Sequence, residues 1–248
     1  MKIEVIKTEL QEIQPLRSLF LHENNFQIRY NACHERNWSD GYLLTIDSAK
    51  IGYGSIKGKD NLGDRDSVFE FYVVPPFRKL IRQIFQELLK ISSARFIECQ
   101  SNDLILSPML YENSHTIKTD VVLFKDQLLT DYKIPGIIFR HREESDSVFA
   151  HTFEPAGDYV LVKAEEVIAT GGFMLHYNKP FADLYMEVKE NYRGMGFGSF
   201  LIQELKRECY LTGRVPAARC NIQNGASKAS LLKAGLAVCG YMLTGEIK

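Results

Sequence analysis

The stretch from Ala182 to Lys206, ADLYMEVKENYRGMGFGSFLIQELK, constrains the fold of this 248-residue chain more than any other. Leu184, Tyr185 and Val188 are strand formers, and the incomplete apolar/polar alternation over 182–188 fits a strand buried on both faces. Lys189, Glu190 and Asn191 end it. Gly194, Gly196 and Gly198 then leave the amides from Arg193 through Met195 and Phe197 to Ser199 uncovered by side chains, and Phe200, Leu201, Leu205 and, less regularly, Ile202 begin an apolar helix stripe. The first N–H groups of a helix have no partner inside it and lie at the positive end of its dipole, so phosphate oxygens can satisfy both. Each such contact is worth roughly 0.3–1 kcal/mol from the dipole alone, and Arg193 adds a mobile positive charge at the mouth.

Alternating glycines alone are also compatible with a tight turn that holds nothing, or with a dinucleotide-binding loop. The second option requires an acidic residue about 20 positions on, at the end of a following strand. That place holds Gly213, Arg214 and Val215, and too little chain follows to complete such a domain.

Downstream, Ala217–Cys220 reads as a short strand, followed by Asn221, Asn224, Ser227, Lys233 and Gly235 in NIQNGASKASLLKAGL. The run Arg193-Gly194-Met195-Gly196-Phe197-Gly198 resembles the Q/R-x-x-G-x-G/A pyrophosphate loop of the GNAT family of acetyl-CoA-dependent N-acetyltransferases. The later run is similar to that family's strand, loop Asn and helix ending in K-x-G-F, with Leu236 in place of Phe. The resemblance covers roughly the last 90 to 100 residues. It implies a mixed α/β fold with a mostly antiparallel sheet flanked by helices, and acetyl-CoA as cosubstrate. The pyrophosphate would lie on 193–199, the acetyl group near the strand backbone at Met186 and Val188, and the pantetheine arm near Asn224 and Ser227. Helix capping and turn formation are the alternative roles of Asn224 and Ser227.

A repeat extends the reading to the whole chain. A helix over Pro15–His22 precedes strands at Tyr42–Ile46, Ile51–Lys57 and Val68–Val74, a helix from about Arg78 to Ile91 and a strand at Arg95–Gln100. The second half repeats the order with strands at Asp158–Lys163, Val167–His176 and Ala182–Val188, a helix, and a strand at Ala217–Asn221. Ile51 answers Val167, Val74 answers Val188, Arg78 answers Arg193, and Cys99 with Asn102 answers Cys220 with Asn224. Two tandem GNAT-like units are expected, over 1–120 and 121–248, with the boundary within Asn113–Lys133. In the first unit Arg78, Lys79, Leu80, Ile81, Arg82 and Gln83 replace the glycine turn, and their side chains would crowd a pyrophosphate away from the amides. That unit is expected to keep the fold without binding CoA, either covering a sheet edge or completing an acceptor pocket.

Thirty basic against 31 acidic residues, a formal charge of −1, favours neither nucleic acid nor an anionic membrane as partner. Cys33, Cys99, Cys209, Cys220 and Cys239 show no C-x-x-C spacing, so no metal site is expected, and they suit a reducing compartment. With no apolar run of membrane-spanning length, a cytoplasmic protein is expected.

Acetyl transfer to an amine requires the two reactants to be held together and the amine to be neutral. A lysine-like amine of pKa ~10.4 is neutral only about once in 10³ molecules at pH 7. The resemblance implies a carboxylate on the strand, or a water chain, as the base. Asp183 and Glu187 share one strand face with Tyr185, opposite Leu184, Met186 and Val188. Either is a candidate base, and either could instead be a structural carboxylate paired with Lys or Arg. Many family members carry a Tyr seven residues beyond the loop Asn to protonate the departing thiolate; here that position is Leu231, which cannot donate. A tyrosine elsewhere, a cysteine such as Cys220, or solvent would take that part.

The acceptor would meet the segment His141–Pro155, where Glu143, Glu144, Asp146, His151 and Glu154 either line a cationic-amine site or are merely solvated. His151 and His176 read as structural. The expected function is acetyl-CoA-dependent N-acetylation of a primary amine on a small molecule or peptide, by direct attack in a ternary complex. The alternative is a non-catalytic acyl-CoA-binding or regulatory module.

Overall fold

The same short hairpin turn occurs twice in the chain. Asp47 and Ser48 join one pair of strands and Ala164 and Glu165 another, all four with left-handed φ between 46° and 71°. Two consecutive left-handed residues give the turn whose twist matches that of paired strands. The computed structural model describes residues 2–24, 26–27 and 31–248.

In the first half the elements are β1 (Ile3–Thr8), α1 (Leu10–Asn24), α2 (Asn31–Glu35), β2 (Ser39–Ile46), β3 (Ala49–Lys57), β4 (Ser67–Val73), α3 (Ile81–Ser92), β5 (Phe96–Gln100) and α4 (Leu106–Asn113). There follow β6 (Ser114–Asp126), β7 (Ile137–His141), β8 (Tyr159–Lys163), β9 (Glu166–Met174), β10 (Phe181–Val188), α5 (Phe197–Leu211), β11 (Val215–Asn221), α6 (Gly225–Lys233) and β12 (Leu236–Ile247). The chain packs as two units. One contains 31–120 and the residues up to Phe26, together with Gly240–Lys248; the other contains Val121–Cys239 with Gln27. Gly240–Lys248, which the sequence reading assigns to the second half, packs with the first, because Met242–Glu246 of β12 pair antiparallel with β5.

Each unit is a mixed, mostly antiparallel sheet flanked by helices. In the first, β1, β2, β3, β4 and β5 lie side by side, and β4–β5 is the parallel pair. In the second the order from Val121 onward is β6, β11, β10, β9, β8, β7, with β10–β11 parallel. A crossover helix joins each parallel pair, α3 in one unit and α5 in the other, as parallel connections require.

The repeat extends to single hydrogen bonds. Val74 N donates to Ile51 O at 2.9 Å, and Lys189 N to Ile168 O at 2.9 Å. Arg78 Nε donates to Val73 O at 2.9 Å, and Arg193 Nε to Val188 O at 3.0 Å.

The units differ in what closes the parallel pair. β4 and β5 pair only at Ser67–Val68 against Phe96–Ile97 and then part. Phe71, Phe85, Leu106 and Leu110, all at 0% exposure, belong to the core at that level, with the Phe71 and Phe85 rings edge to face at 4.8 Å. α6 buries only Leu231, whereas α4 buries Leu106, Ser107, Met109 and Leu110. The first unit also encloses a carboxylate: Glu70 on β4 accepts from Arg17 Nε and Nη2 at 2.9 and 3.0 Å and from the Tyr53 hydroxyl at 2.9 Å, and contacts His34 Nε2 at 3.1 Å. Burial opposes ionisation of Glu70, but Arg17 and His34 outweigh it and hold the carboxyl well below its usual range.

Candidate active site

β10 and β11 pair from Phe181/Val215 to Leu184/Ala218, and beyond that both strands continue without pairing to each other. The backbone of β10 beyond Leu184 therefore faces a gap. Lys189 N and its alternate neighbours pair with β9, so the N–H groups of Met186 and Val188 point towards β11, where no strand receives them. The gap leads directly into the glycine turn.

The turn has the geometry that its composition demands. Gly194 and Gly196 take φ of 78° and 88°, a region closed to most L-residues, and α5 starts immediately at Phe197. The amides of Gly194–Ser199 find no acceptor among the described residues. A Cβ at Gly194 would meet nothing within 4 Å, so the cradle is open there. Gly198 serves packing instead: a Cβ there would stand 2.9 Å from Met186 Cε and 3.1 Å from Ser230 Oγ. Met195 is exposed, whereas Phe197 and Ser199 are buried at the helix start.

Lys233 Nζ is 3.7 Å from the Cβ position of Gly196, so its ammonium overhangs the turn. It also lies 5.5 Å from the Tyr132 ring, whose hydroxyl donates to Lys233 O at 2.6 Å. The lysine is quoted in the sequence motif, but its charge at the turn depends on α6 folding back beside α5, which no local pattern announces.

In the first unit the corresponding segment is the 3-10 turn Pro75–Leu80 leading into α3. It has no glycine and Leu80 has φ −103°; Arg78 is paired with Glu23 at 2.6 Å and Arg82 with Glu112 at 2.7 Å. The turn runs straight into α3 with no left-handed residue between Pro75 and Ser92.

Asp183, Tyr185 and Glu187 share the β10 face away from α5, as strand alternation requires, while Met186 packs on the α5 side. The two carboxylates are opposites. Asp183 is 4% exposed; Oδ2 accepts from Arg219 Nε at 3.1 Å and Oδ1 is buried without a donor in good geometry. Burial raises its pKa to about 6, against the opposing pull of Arg219 and the Tyr177 hydroxyl and with a smaller push from Glu154.

Glu187, 5% exposed, accepts from the amides of Thr152 (3.1 and 3.2 Å), Phe153 (3.0 Å) and Glu154 (3.1 Å). Burial pushes its carboxyl up, yet those three amides together outweigh burial and the net shift is downward. A carboxylate so engaged is a weak proton acceptor.

The acceptor-side segment 142–158 contains no helix or strand. Asp146 accepts from Arg140 at 2.6 and 2.8 Å, and Glu143 also pairs with Arg140, which accounts for two of its charges locally. Glu154 faces inward instead: burial raises its pKa, Arg219 lowers it and Glu187 raises it further, so the group stands within the field of the Asp183–Arg219 pair. His151 contacts Thr170 Oγ1 at 2.7 Å and stacks on Phe149, and His176 stacks on Tyr177, which are structural contacts. Asn224 caps α6, its Oδ1 accepting from Ser227 N at 3.0 Å. Leu231 is a core residue, 3% exposed. Burial pushes the Cys220 thiol up. Among the described residues no group of His, Cys, Asp and Glu could hold a metal ion, and no helix is long and apolar enough to cross a membrane.

Family comparison accounts for both units. Residues 9–127 match the profile described as acetyltransferase (GNAT) domain, and residues 125–230 match that of the acetyltransferase (GNAT) family. The chain belongs to the GNAT family. A GNAT-family acetyltransferase from Colwellia psychrerythraea superimposes with a TM-score of 0.76 over 100% of both chains at 14% identity. A GCN5-related N-acetyltransferase from Sphaerobacter thermophilus gives a TM-score of 0.60 over 99% of this chain and 96% of its own at 15% identity. A tandem GNAT protein from the clavulanic acid biosynthesis pathway gives 0.61 over 99% and 98% at 8% identity. At these identities the likenesses are likenesses of fold. No curated protein sequence matches significantly. Two GNAT domains in one chain imply acyl-CoA-dependent acyltransfer, and the first GNAT domain is the one without a glycine turn.

Proposed function

We propose that the second unit transfers an acetyl group from acetyl-CoA to a primary amine of a small molecule or peptide, the amine attacking directly while both substrates are bound. The observation that carries this reading is the gap between β10 and β11, which runs from an open glycine turn along unpaired strand amides. Acetyl-CoA supplies the thioester. On the protein side, the amides of 194–199 with Arg193 and Lys233 take the phosphate charge, and the N–H groups of Met186 and Val188 polarise the acetyl carbonyl. Asn224 and Ser227 flank the pantetheine arm.

Asp183 is the proposed base. The amine nitrogen bonds to the carbonyl carbon, its proton passes to Asp183, and the C–S bond breaks, releasing a thiolate that solvent protonates. With a pKa of about 6 Asp183 is ionised at neutral pH. It is nevertheless a better match to an amine than an ordinary aspartate of ~3.9. Together with Glu154 it favours a cationic acceptor. Glu187, held by three amides, is not proposed as the base. The first unit is proposed to bind no CoA. Five free cysteines suit a reducing cytoplasm.

Calorimetric titration with acetyl-CoA, followed by a panel of primary amines with free thiol as the readout, tests the reading. One site per chain and thiol release that depends on an amine and on Asp183 are expected. Tight binding without transfer to any amine would leave a CoA-binding module in its place.

A further inference from the structure

Segment 142–158 has no regular structure, yet three of its consecutive amides converge on the single carboxylate of Glu187. Hydrogen bonds to an ionised group are stronger than those between neutral groups, so one carboxylate holding three amides can decide the conformation of a short loop. Beyond it, the segment is tied by His151 to Thr170 Oγ1 at 2.7 Å and by Gly157 N to the same oxygen at 3.3 Å. Glu154, whose amide is the third donor, is thereby directed towards Asp183 and Arg219.

The same carboxylate reaches the glycine turn. Glu187 Oε1, which accepts from Thr152 N at 3.1 Å, is also 3.5 Å from Arg193 Nη2. Arg193 Nε is anchored on Val188 O, while its side chain remains about half exposed. A guanidinium at the mouth of an anion cradle and a loop amide thus share one oxygen.

We infer that Glu187 is a positioning residue that couples occupancy of the glycine turn to the order of the acceptor segment. The inference rests on the proposal that 193–199 holds the pyrophosphate. An anion at the turn draws the Arg193 guanidinium away from Oε1, so Thr152 N gains undivided use of that oxygen and the segment tightens. Occupancy of the turn would then firm the segment that faces the amine. This role differs from that of a base, since no proton need reach Glu187.

Amide exchange read by mass spectrometry over 148–157 of the full chain, with and without saturating acetyl-CoA, tests it. In the wild type the segment is expected to be protected and to slow by about a further tenfold when acetyl-CoA binds. Arg193→Gln should give the slow rate without ligand. Glu187→Gln should expose Thr152–Glu154 and abolish the response, while exchange in the hairpin of β8 and β9 stays at the wild-type rate as the control for folding. A merely structural glutamate would lose protection on substitution but give no response to acetyl-CoA in the wild type; that result overturns the coupling, as does wild-type protection in Glu187→Gln. Calorimetry on the same samples separates the two failures. Absence of acetyl-CoA binding sinks the assignment of the site, and coupling with it, whereas binding with unresponsive exchange sinks the coupling alone.

Discussion

Asp183 and Glu187 stand four residues apart on one strand face, and they are driven in opposite directions by what surrounds them. Burial leaves Asp183 with a carboxyl near 6, so activity should rise as pH passes through about 6 and level off above it. Asp183→Asn should remove that limb and lower kcat by about 10²–10⁴ with acetyl-CoA affinity retained, as pH–rate profiles and calorimetry would show. Stability carries the same signature. Because the folded pKa exceeds the unfolded one, the native state binds the extra proton, and the contribution of Asp183 is fully present below about 3.8 and lost as pH rises to about 6. Wild-type stability should therefore fall relative to Asp183→Asn across that window in denaturant titrations. At the turn, Gly196 has φ 88° and faces the Lys233 ammonium, so Gly196→Glu combines strain with a charge in the cradle and should abolish acetyl-CoA binding. Lys233→Ala should weaken binding severalfold and flatten its dependence on salt, since it removes an exposed charge at the turn.

At the level of elements, the strand–turn–helix of β10 and α5 and the two hairpins were legible because each depends on local rules: strand-forming runs with short breaks, and glycines before an apolar stripe. α1 begins at Leu10, with Pro15 inside it, where sequence reasoning starts the helix at Pro15; a proline suggests a beginning, but here the flanking turn packs and the helix continues through it. β1, β6, β7 and β12 carried no strong periodic signal and are strands because neighbours supply their pairing. α3 and α5 are equivalent crossovers with different N-termini. Ile81→Glu, which charges the start of α3, should leave acetyl-CoA affinity unchanged in calorimetry; a loss would mean that the first unit binds the ligand after all.

On the scale of the molecule, two units of the same order have come to differ in how they are packed around their parallel strands. The first holds a packed core and a buried carboxylate network, and the second leaves its gap open. Arg17→Ala would leave the fully buried Glu70 with only Tyr53 and His34 and should destabilise the first unit by about 3–5 kcal/mol, seen in chemical denaturation, with one acetyl-CoA still bound per chain. The last strand belongs to this level too. Removing Gly240–Lys248 takes away the partner of β5 and should raise amide exchange over 96–100 while leaving β9 and β10 at their wild-type rates.

By itself the sequence determined the family, the tandem repeat, the glycine turn and the face on which the carboxylates lie, since all of these follow from spacing along one segment. Only the tertiary structure separates the two carboxylates, because the difference comes from the burial of Asp183, which Arg219, 36 positions away, only partly offsets, and from the amides of Thr152–Glu154, 33 to 35 positions from Glu187. It likewise decided that Lys233 overhangs the turn and that the final strand completes the first unit. Burial and hydrogen bonding set a group's chemistry, and both are properties of neighbours brought together by folding rather than of residue order.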